Sequence, residues 1–140
     1  MTVCVLDASF VFPWLFEDEA SPAADAMLEH VTRHGGYLPP LWYTEIANGL
    51  GMAERRGRLS PSGLREAINL LSHLHLTLDE FSTQGAFGPV IDLMREHRLT
   101  AYDATYLELA LRRGLPLATN DKELRRAALA SGAAVMESGT

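Results

Sequence analysis

Cysteine is nearly absent from this chain. Cys4 is the only one in 140 residues, which excludes an intramolecular disulfide and a cysteine-based zinc site. Its place in the first apolar run reads as a small core residue. Lysine is as scarce: Lys122 stands against eleven arginines. Positive charge is short overall, with 12 Lys and Arg against 18 Asp and Glu and a formal net charge of −6. Bulk positive field therefore does not hold nucleic acid here, although a local arginine groove remains compatible with that balance. No apolar run can span a bilayer, because the longest, near Phe10 to Phe16, is short and contains Pro13. The chain reaches Asp7 with no basic start and no long apolar stretch, so a soluble cytoplasmic protein without membrane attachment is expected. There is no glycine-rich nucleotide loop, no internal repeat and no low-complexity linker.

What is present suits one folded domain over residues 1–140, with 47% hydrophobic and 21% charged residues. Val3-Cys4-Val5-Leu6 is a short β-prone run ended by Asp7, the pattern of a strand buried on both faces. A helix is expected from Ser9 to Phe16, kinked or delayed by Pro13. Ser21-Pro22 starts a second helix that runs to Arg33 and stops at Gly35-Gly36. Tyr37-Leu38 is a short strand. Trp42, Ile46, Leu50 and Ala53 mark the apolar stripe of a helix from Leu41 to Arg56, and Ser60-Pro61 opens another. His75 to Leu78 alternates like a strand. Helices then follow over Thr83–His97 and Ala101–Arg113, a strand over Pro116–Thr119, and a last helix over Asp121–Ser131. A final edge strand is placed at Ala134-Val135. Strands separated by helices imply an α/β fold, a mainly parallel sheet flanked by helices. In such folds chemistry collects at the carboxyl ends of the strands.

Four acids fall at that edge. Asp7 ends the first strand and, taken alone, is equally a turn or capping aspartate. Glu45 lies early on the third helix beside an apolar stripe, with Asn48 three residues on and on the same face; the helix dipole is a sufficient local reason for it. Asp103 follows Thr100 by three residues, the spacing of a capping box. Asp121 sits where Asn120 and Glu123 would cap the last helix. Each local reading is ordinary. Four carboxylates crowded at one sheet edge repel each other, however, and a hard divalent cation relieves that repulsion. That arrangement suits phosphodiester hydrolysis.

The same residues carry a family resemblance. Asp7 in Leu-Asp-Ala-Ser, Glu45 and Asn48 in Glu-Ile-Ala-Asn, Asp103 in Ala-Tyr-Asp-Ala, and Asp121 in Ala-Thr-Asn-Asp resemble the ordered motifs of PIN domains. The chain is similar, over nearly its whole length, to the VapC ribonuclease toxins of toxin–antitoxin pairs. The resemblance implies a three-layer PIN-like fold and metal-dependent endoribonuclease activity. It implies Asp7, Glu45, Asp103 and Asp121 as the catalytic, metal-binding acids for Mg²⁺ or Mn²⁺, with Ser9, Asn48 and Thr119 orienting them. It further implies an RNA substrate, a cognate antitoxin protein and a homodimer. Pro13 departs from the unbroken helix that relatives often have at that point.

Other features are less specific. Arg55, Arg56 and Arg58 are candidate phosphate ligands, but arginines at a helix carboxyl end already have a dipole reason to be there. Arg112-Arg113 and Arg125-Arg126 read as solvated helix faces, and Tyr102 and Tyr106 as core or core-edge residues. Phe10 to Phe16 carries more apolar bulk than one short helix easily buries. It reads equally as core with a dimer contact or as a groove for a partner helix. A haloacid-dehalogenase-type phosphatase would want a second Asp where Ser9 stands, and a phosphate-binding lysine that Lys122 does not supply. A response-regulator receiver domain would need a paired acidic cluster and a late strand lysine. A non-catalytic PIN-like binding scaffold would be marked by loss of one of the four acids, and all are present.

Overall fold

The computed structural model describes residues 3–136. A four-stranded, wholly parallel sheet has the order β3-β2-β1-β4, from β1 (Cys4–Leu6), β2 (Gly36–Leu38), β3 (Leu76–Leu78) and β4 (Leu117–Ala118). Among the described residues, seven α-helices pack around it: α1 (Phe12–Leu15), α2 (Pro22–His34), α3 (Leu41–Arg55), α4 (Pro61–Ser72), α5 (Ile91–His97), α6 (Ala101–Arg113) and α7 (Lys122–Ala130). The architecture is the expected three-layer α/β arrangement. None of the helices among the described residues is long and apolar enough to cross a membrane.

β1 is the central strand, and its apolar run leaves Cys4, Val5 and Leu6 with no exposed surface. Burial pushes the Cys4 thiol up to about 11, so it stays a neutral packing group. From β1 the sheet grows outward through β2 and β3. The chain then returns across α5 and α6 to lay β4 on the opposite side of β1. The strand order therefore reverses between β1 and β4, and the crevice beyond their carboxyl ends is where such sheets accept ligands.

Local chemistry sets most helix boundaries. Ser21 and Ser60 accept backbone N–H bonds from Ala24 and Gly63, both 3.0 Å, each with proline in the first turn. α2 ends at Gly35, whose φ of +84° only glycine adopts without strain; a Cβ there would also lie 2.9 Å from the His75 carbonyl oxygen. The turn thus brings β2 directly against β3.

The interruption expected at Pro13 takes a definite form, and two other expectations need correction. The helix over Ser9–Phe16 is divided into a 3₁₀ turn at Ala8–Phe10 and the four-residue α1. Pro13 is tolerated because it sits in the first turn of α1, where its missing N–H costs nothing. The helix over Thr83–His97 is likewise broken: a 3₁₀ turn at Ser82–Gly85 and a π-turn at Ala86–Val90 precede α5, with Pro89 inside the π-turn. Ala134-Val135 forms no full strand. Val135 makes a single parallel bridge to Leu117, with Leu117 N–H donating to the Ala134 carbonyl at 2.9 Å.

The apolar segment Phe10–Phe16 is largely consumed by the core. Phe10, Val11 and Phe16 are buried, whereas Phe12, Trp14 and Leu15 are partly buried against it.

Candidate active site

Asp7 follows β1, and its backbone N–H donates to the Ala118 carbonyl at 2.9 Å, fixing it at the β1–β4 crevice. Its side chain is only 4% exposed. Ser9 and Thr119 hydroxyls each donate to Asp7 Oδ2 at 2.6 Å. Each hydroxyl also accepts a backbone N–H from the loop after β4, Asn120 to Ser9 Oγ and Asp121 to Thr119 Oγ1, both 3.0 Å. The Asn120 side-chain amide donates to the Ser9 carbonyl at 3.1 Å. The two loops that carry Asp7 and Asp121 are thus tied to each other through a pair of hydroxyls.

Asp121 caps α7 itself, accepting from Leu124 N–H at 2.9 Å, so the role expected of Asn120 belongs to Asp121. Thr100 caps α6 as its sequence indicated, accepting from Asp103 N–H at 3.2 Å. That places Asp103 in the first turn of α6. Glu45 sits one turn into α3 and accepts a 2.5 Å hydrogen bond from the Tyr106 hydroxyl. Tyr106 is buried on α6, three residues past Asp103 and on the same face. Burial and then the Glu45 hydrogen bond raise the Tyr106 hydroxyl above its ordinary range, so it remains a donor.

Asp7, Glu45, Asp103 and Asp121 line one open pocket of about 370 Å³, together with Ser9, Phe12, Asn48 and Gly49. Among the described residues, no Lys or Arg lines it. The electrostatic consequence is direct. Burial raises the proton affinity of Asp7, against the pull of the Ser9 and Thr119 hydrogen bonds, and the Asp121 charge adds to the rise. Burial also raises Glu45, with the Tyr106 hydrogen bond opposing and the Asp7 charge reinforcing. Asp103 is pushed up to about 6 by burial, then by the charges of Asp121, Asp7 and Glu45. Carboxylates that raise each other's proton affinity lack a counter-charge.

The donor set fits a hard divalent cation: it is all oxygen, anionic and free of competing basic side chains. Among the described residues, no three Asp, Glu, His or Cys side chains are placed to enclose one ion directly as they stand. Mg²⁺ is compatible with that looseness, because it commonly takes one or two carboxylates and keeps water on its other positions.

The model of the PIN domain family matches residues 4–129. The chain belongs to the PIN-domain family. PIN domains are generally nucleases, and most use divalent metal ions. Solved structures resemble it over most of its length. A crystal structure of PAE2754 from Pyrobaculum aerophilum shares 26% identity with a TM-score of 0.66, covering 91% of this chain and 87% of that one. FitAcB from Neisseria gonorrhoeae matches at 18% identity and a TM-score of 0.65, over 98% of this chain and 97% of that one. A toxin–antitoxin complex from Klebsiella pneumoniae matches at 17% identity and a TM-score of 0.57, over 84% and 86%. At those last two identities the likeness is one of fold. No curated protein matches the sequence significantly.

The PIN fold thus brings all four sequence-predicted acids to one pocket and puts Ser9 and Thr119 in contact with Asp7. Asn48 lines the same pocket one turn along α3 from Glu45. Sequence reasoning missed Tyr106 as the partner of Glu45; its position three residues after Asp103 was the available signal. Tyr102, expected near the core, is 63% exposed. Arg112 and Arg113 are exposed, as expected of a helix face, and they also reach a buried acid. They hold Asp79, which is fully buried, with Arg112 also bonding Glu108 at 2.9 Å. Asp79 follows β3, and nothing in its local sequence distinguished it from an exposed turn acid.

Proposed function

We propose that this PIN domain, taken as one unit over residues 1–140, is a metal-dependent endoribonuclease and the toxin of a VapC-type toxin–antitoxin pair. The observation that carries the nuclease reading is the single pocket shared by Asp7, Glu45, Asp103 and Asp121 at the reversal point of the sheet. These four acids would hold Mg²⁺ or Mn²⁺. Bound there, the ion would offset phosphate charge and acidify the attacking water.

The protein's own groups prepare that site. Ser9 and Thr119 hold the Asp7 carboxylate in one orientation and favour its anionic form through two short hydrogen bonds. Tyr106 fixes Glu45 Oε1, limiting rotation of a long side chain. Asp121 is restrained by its own cap bond. Acids pre-oriented in this way lose little entropy on engaging a cation and a phosphate. By family resemblance the products would carry a 3′-hydroxyl and a 5′-phosphate.

Purified protein should cut RNA with Mg²⁺ or Mn²⁺ and stop in excess EDTA. Asp7→Asn should abolish cutting while circular dichroism stays native, since an amide keeps the shape but removes the charge. Undiminished cutting in chelator by a preparation free of contaminating nuclease would overturn the reading.

The antitoxin half rests on the VapC resemblance and on the Klebsiella structure, which is a toxin–antitoxin complex. Expression of the chain alone should arrest growth, and co-expression of a small neighbouring protein should restore it through a stable complex. Light scattering of the free chain tests the homodimer, for which a mass of twice 15.4 kDa is expected. Harmless expression of active enzyme would remove the toxin reading and leave the nuclease.

A further inference from the structure

The acidic pocket does not end at the acids. It shares Ser9, Phe12, Asn48 and Gly49 with a second opening of about 570 Å³. That second opening continues along α3 past Met52 to Arg56 and Arg58. Glu45, Asn48, Met52 and Arg56 are spaced by three or four residues and form one stripe down the helix. At ~1.5 Å per residue the stripe runs roughly 16 Å from Glu45 to Arg56, well beyond one nucleotide step.

Between the two openings lies Phe12. Its ring rests on the bare backbone of Gly49, where a Cβ would come within 2.4 Å of the ring. Phe16 stacks on Phe12 with centroids 5.8 Å apart. An aromatic sill between an acidic pocket and a basic one suits a strand of alternating bases and phosphates.

The two arginines differ in availability. Arg58 is already engaged: its guanidinium lies 4.2 Å over the Phe16 ring and pairs with Asp18 at 2.9 Å and Glu19 at 2.5 Å. It braces the wall, and it also neutralises the one acid that lines this second opening, Glu19. Arg56 is exposed and carries no ion pair among the described residues. Of the two arginines that line this opening, Arg56 is therefore the one left to hold an anion.

We propose that a single-stranded stretch of the substrate leaves the acidic pocket over Phe12 and follows the α3 stripe, with a backbone phosphate held by Arg56. The inference rests on the nuclease reading and adds to it a direction and a phosphate ligand.

The test uses the full chain and a labelled single-stranded RNA. Binding is followed by anisotropy in EDTA, and cleavage by steady-state kinetics in Mg²⁺. Arg56→Ala should raise Kd and KM by about five- to tenfold, as expected for one charge-assisted contact, with kcat nearly unchanged. The slope of log binding constant against log salt should shrink by about 0.7, the value for one phosphate of a single strand. Arg56→Lys should restore most of the slope. Arg55→Ala shares the helix-end position but lies off the stripe, and should change neither Kd nor slope. On an RNA too short to pass Phe12, Arg56→Ala should cost nothing. Phe12→Leu, which keeps apolar bulk for folding, should weaken binding of the long RNA by about fivefold or more.

Equal losses from Arg55→Ala and Arg56→Ala would overturn the proposal and leave the nuclease assignment intact. So would a kcat loss for Arg56→Ala that is the same on short and long RNA. If the wild-type protein cuts no RNA, the nuclease reading fails. Anisotropy then judges the groove by itself: an Arg56-dependent slope sustains it, and no binding refutes it.

Discussion

Consider protein stripped of metal, with Asp103 replaced by asparagine. In the wild-type fold the Asp103 carboxyl is pushed up from 3.8 to about 6, by burial first and by Asp121, Asp7 and Glu45 after it. The folded pKa is raised, so the sign is fixed: the folded state binds a proton that the unfolded chain has released. The proton-linked stability is complete below about pH 4 and is lost as pH rises through about 6. A shift of that size corresponds to about 3 kcal/mol at ~1.4 kcal/mol per pH unit. Asp103 is only partly buried, and solvent screens its neighbours, which brings the expected effect to about 1–2 kcal/mol. Asparagine cannot ionise and escapes the loss. At pH 7.5 in EDTA, Asp103→Asn should therefore melt roughly 3–8 °C above wild type, and at pH 4 the two should coincide. Scanning calorimetry or circular dichroism across that range reads the difference. Adding Mg²⁺ at pH 7.5 should raise the wild type and narrow the gap, because ligand binding stabilises only the folded form that binds it. A variant no more stable than wild type at pH 7.5, or a gap that does not change with pH, would refute the account of mutual carboxylate repulsion.

Arg112→Met should destabilise the fold by about 3 kcal/mol in urea titration, because Asp79 is fully buried and would lose its 2.5 Å partner; a loss below about 0.5 kcal/mol would show that Arg113 alone suffices. Gly51→Ala should stabilise α3 by about 0.5–1 kcal/mol, since a Cβ there meets nothing within 4 Å. Gly49→Ala, two residues away, should instead displace the Phe12 ring and reduce turnover of long RNA, and unchanged turnover would show the ring seat to be irrelevant. Cys4 should resist thiol reagents in native protein and react only at the rate of unfolding, because burial holds it as a neutral thiol at about 11; rapid native labelling would mean that β1 opens locally.

The sequence by itself determined the elements whose signals are local. Ser21-Pro22, Ser60-Pro61 and Thr100 announce helix starts through hydroxyl caps, and all three bonds form. The unbroken apolar run at Cys4–Leu6 announces a doubly covered strand, because no other setting satisfies it. The four acids were legible as a set because each follows a strand or opens a helix, and such positions in a parallel fold converge on one edge.

Tertiary structure decided what depends on partners distant in the chain. Tyr106 reaches Glu45 across 61 positions, and Thr119 reaches Asp7 across 112; no local pattern encodes a hydrogen bond over that separation. Asp79 reads as an ordinary turn acid until α6 lays Arg112 and Arg113 over it. The breaks at Ser82–Val90 escaped helical periodicity because Gly85, Gly88 and Pro89 weaken the backbone there, while the packing of the segment on α5 and α6 selects the 3₁₀ and π turns. Most of all, the raised proton affinity at Asp103 belongs to no residue alone. It exists because folding partly buries Asp103 and carries Asp121, Asp7 and Glu45 to its side.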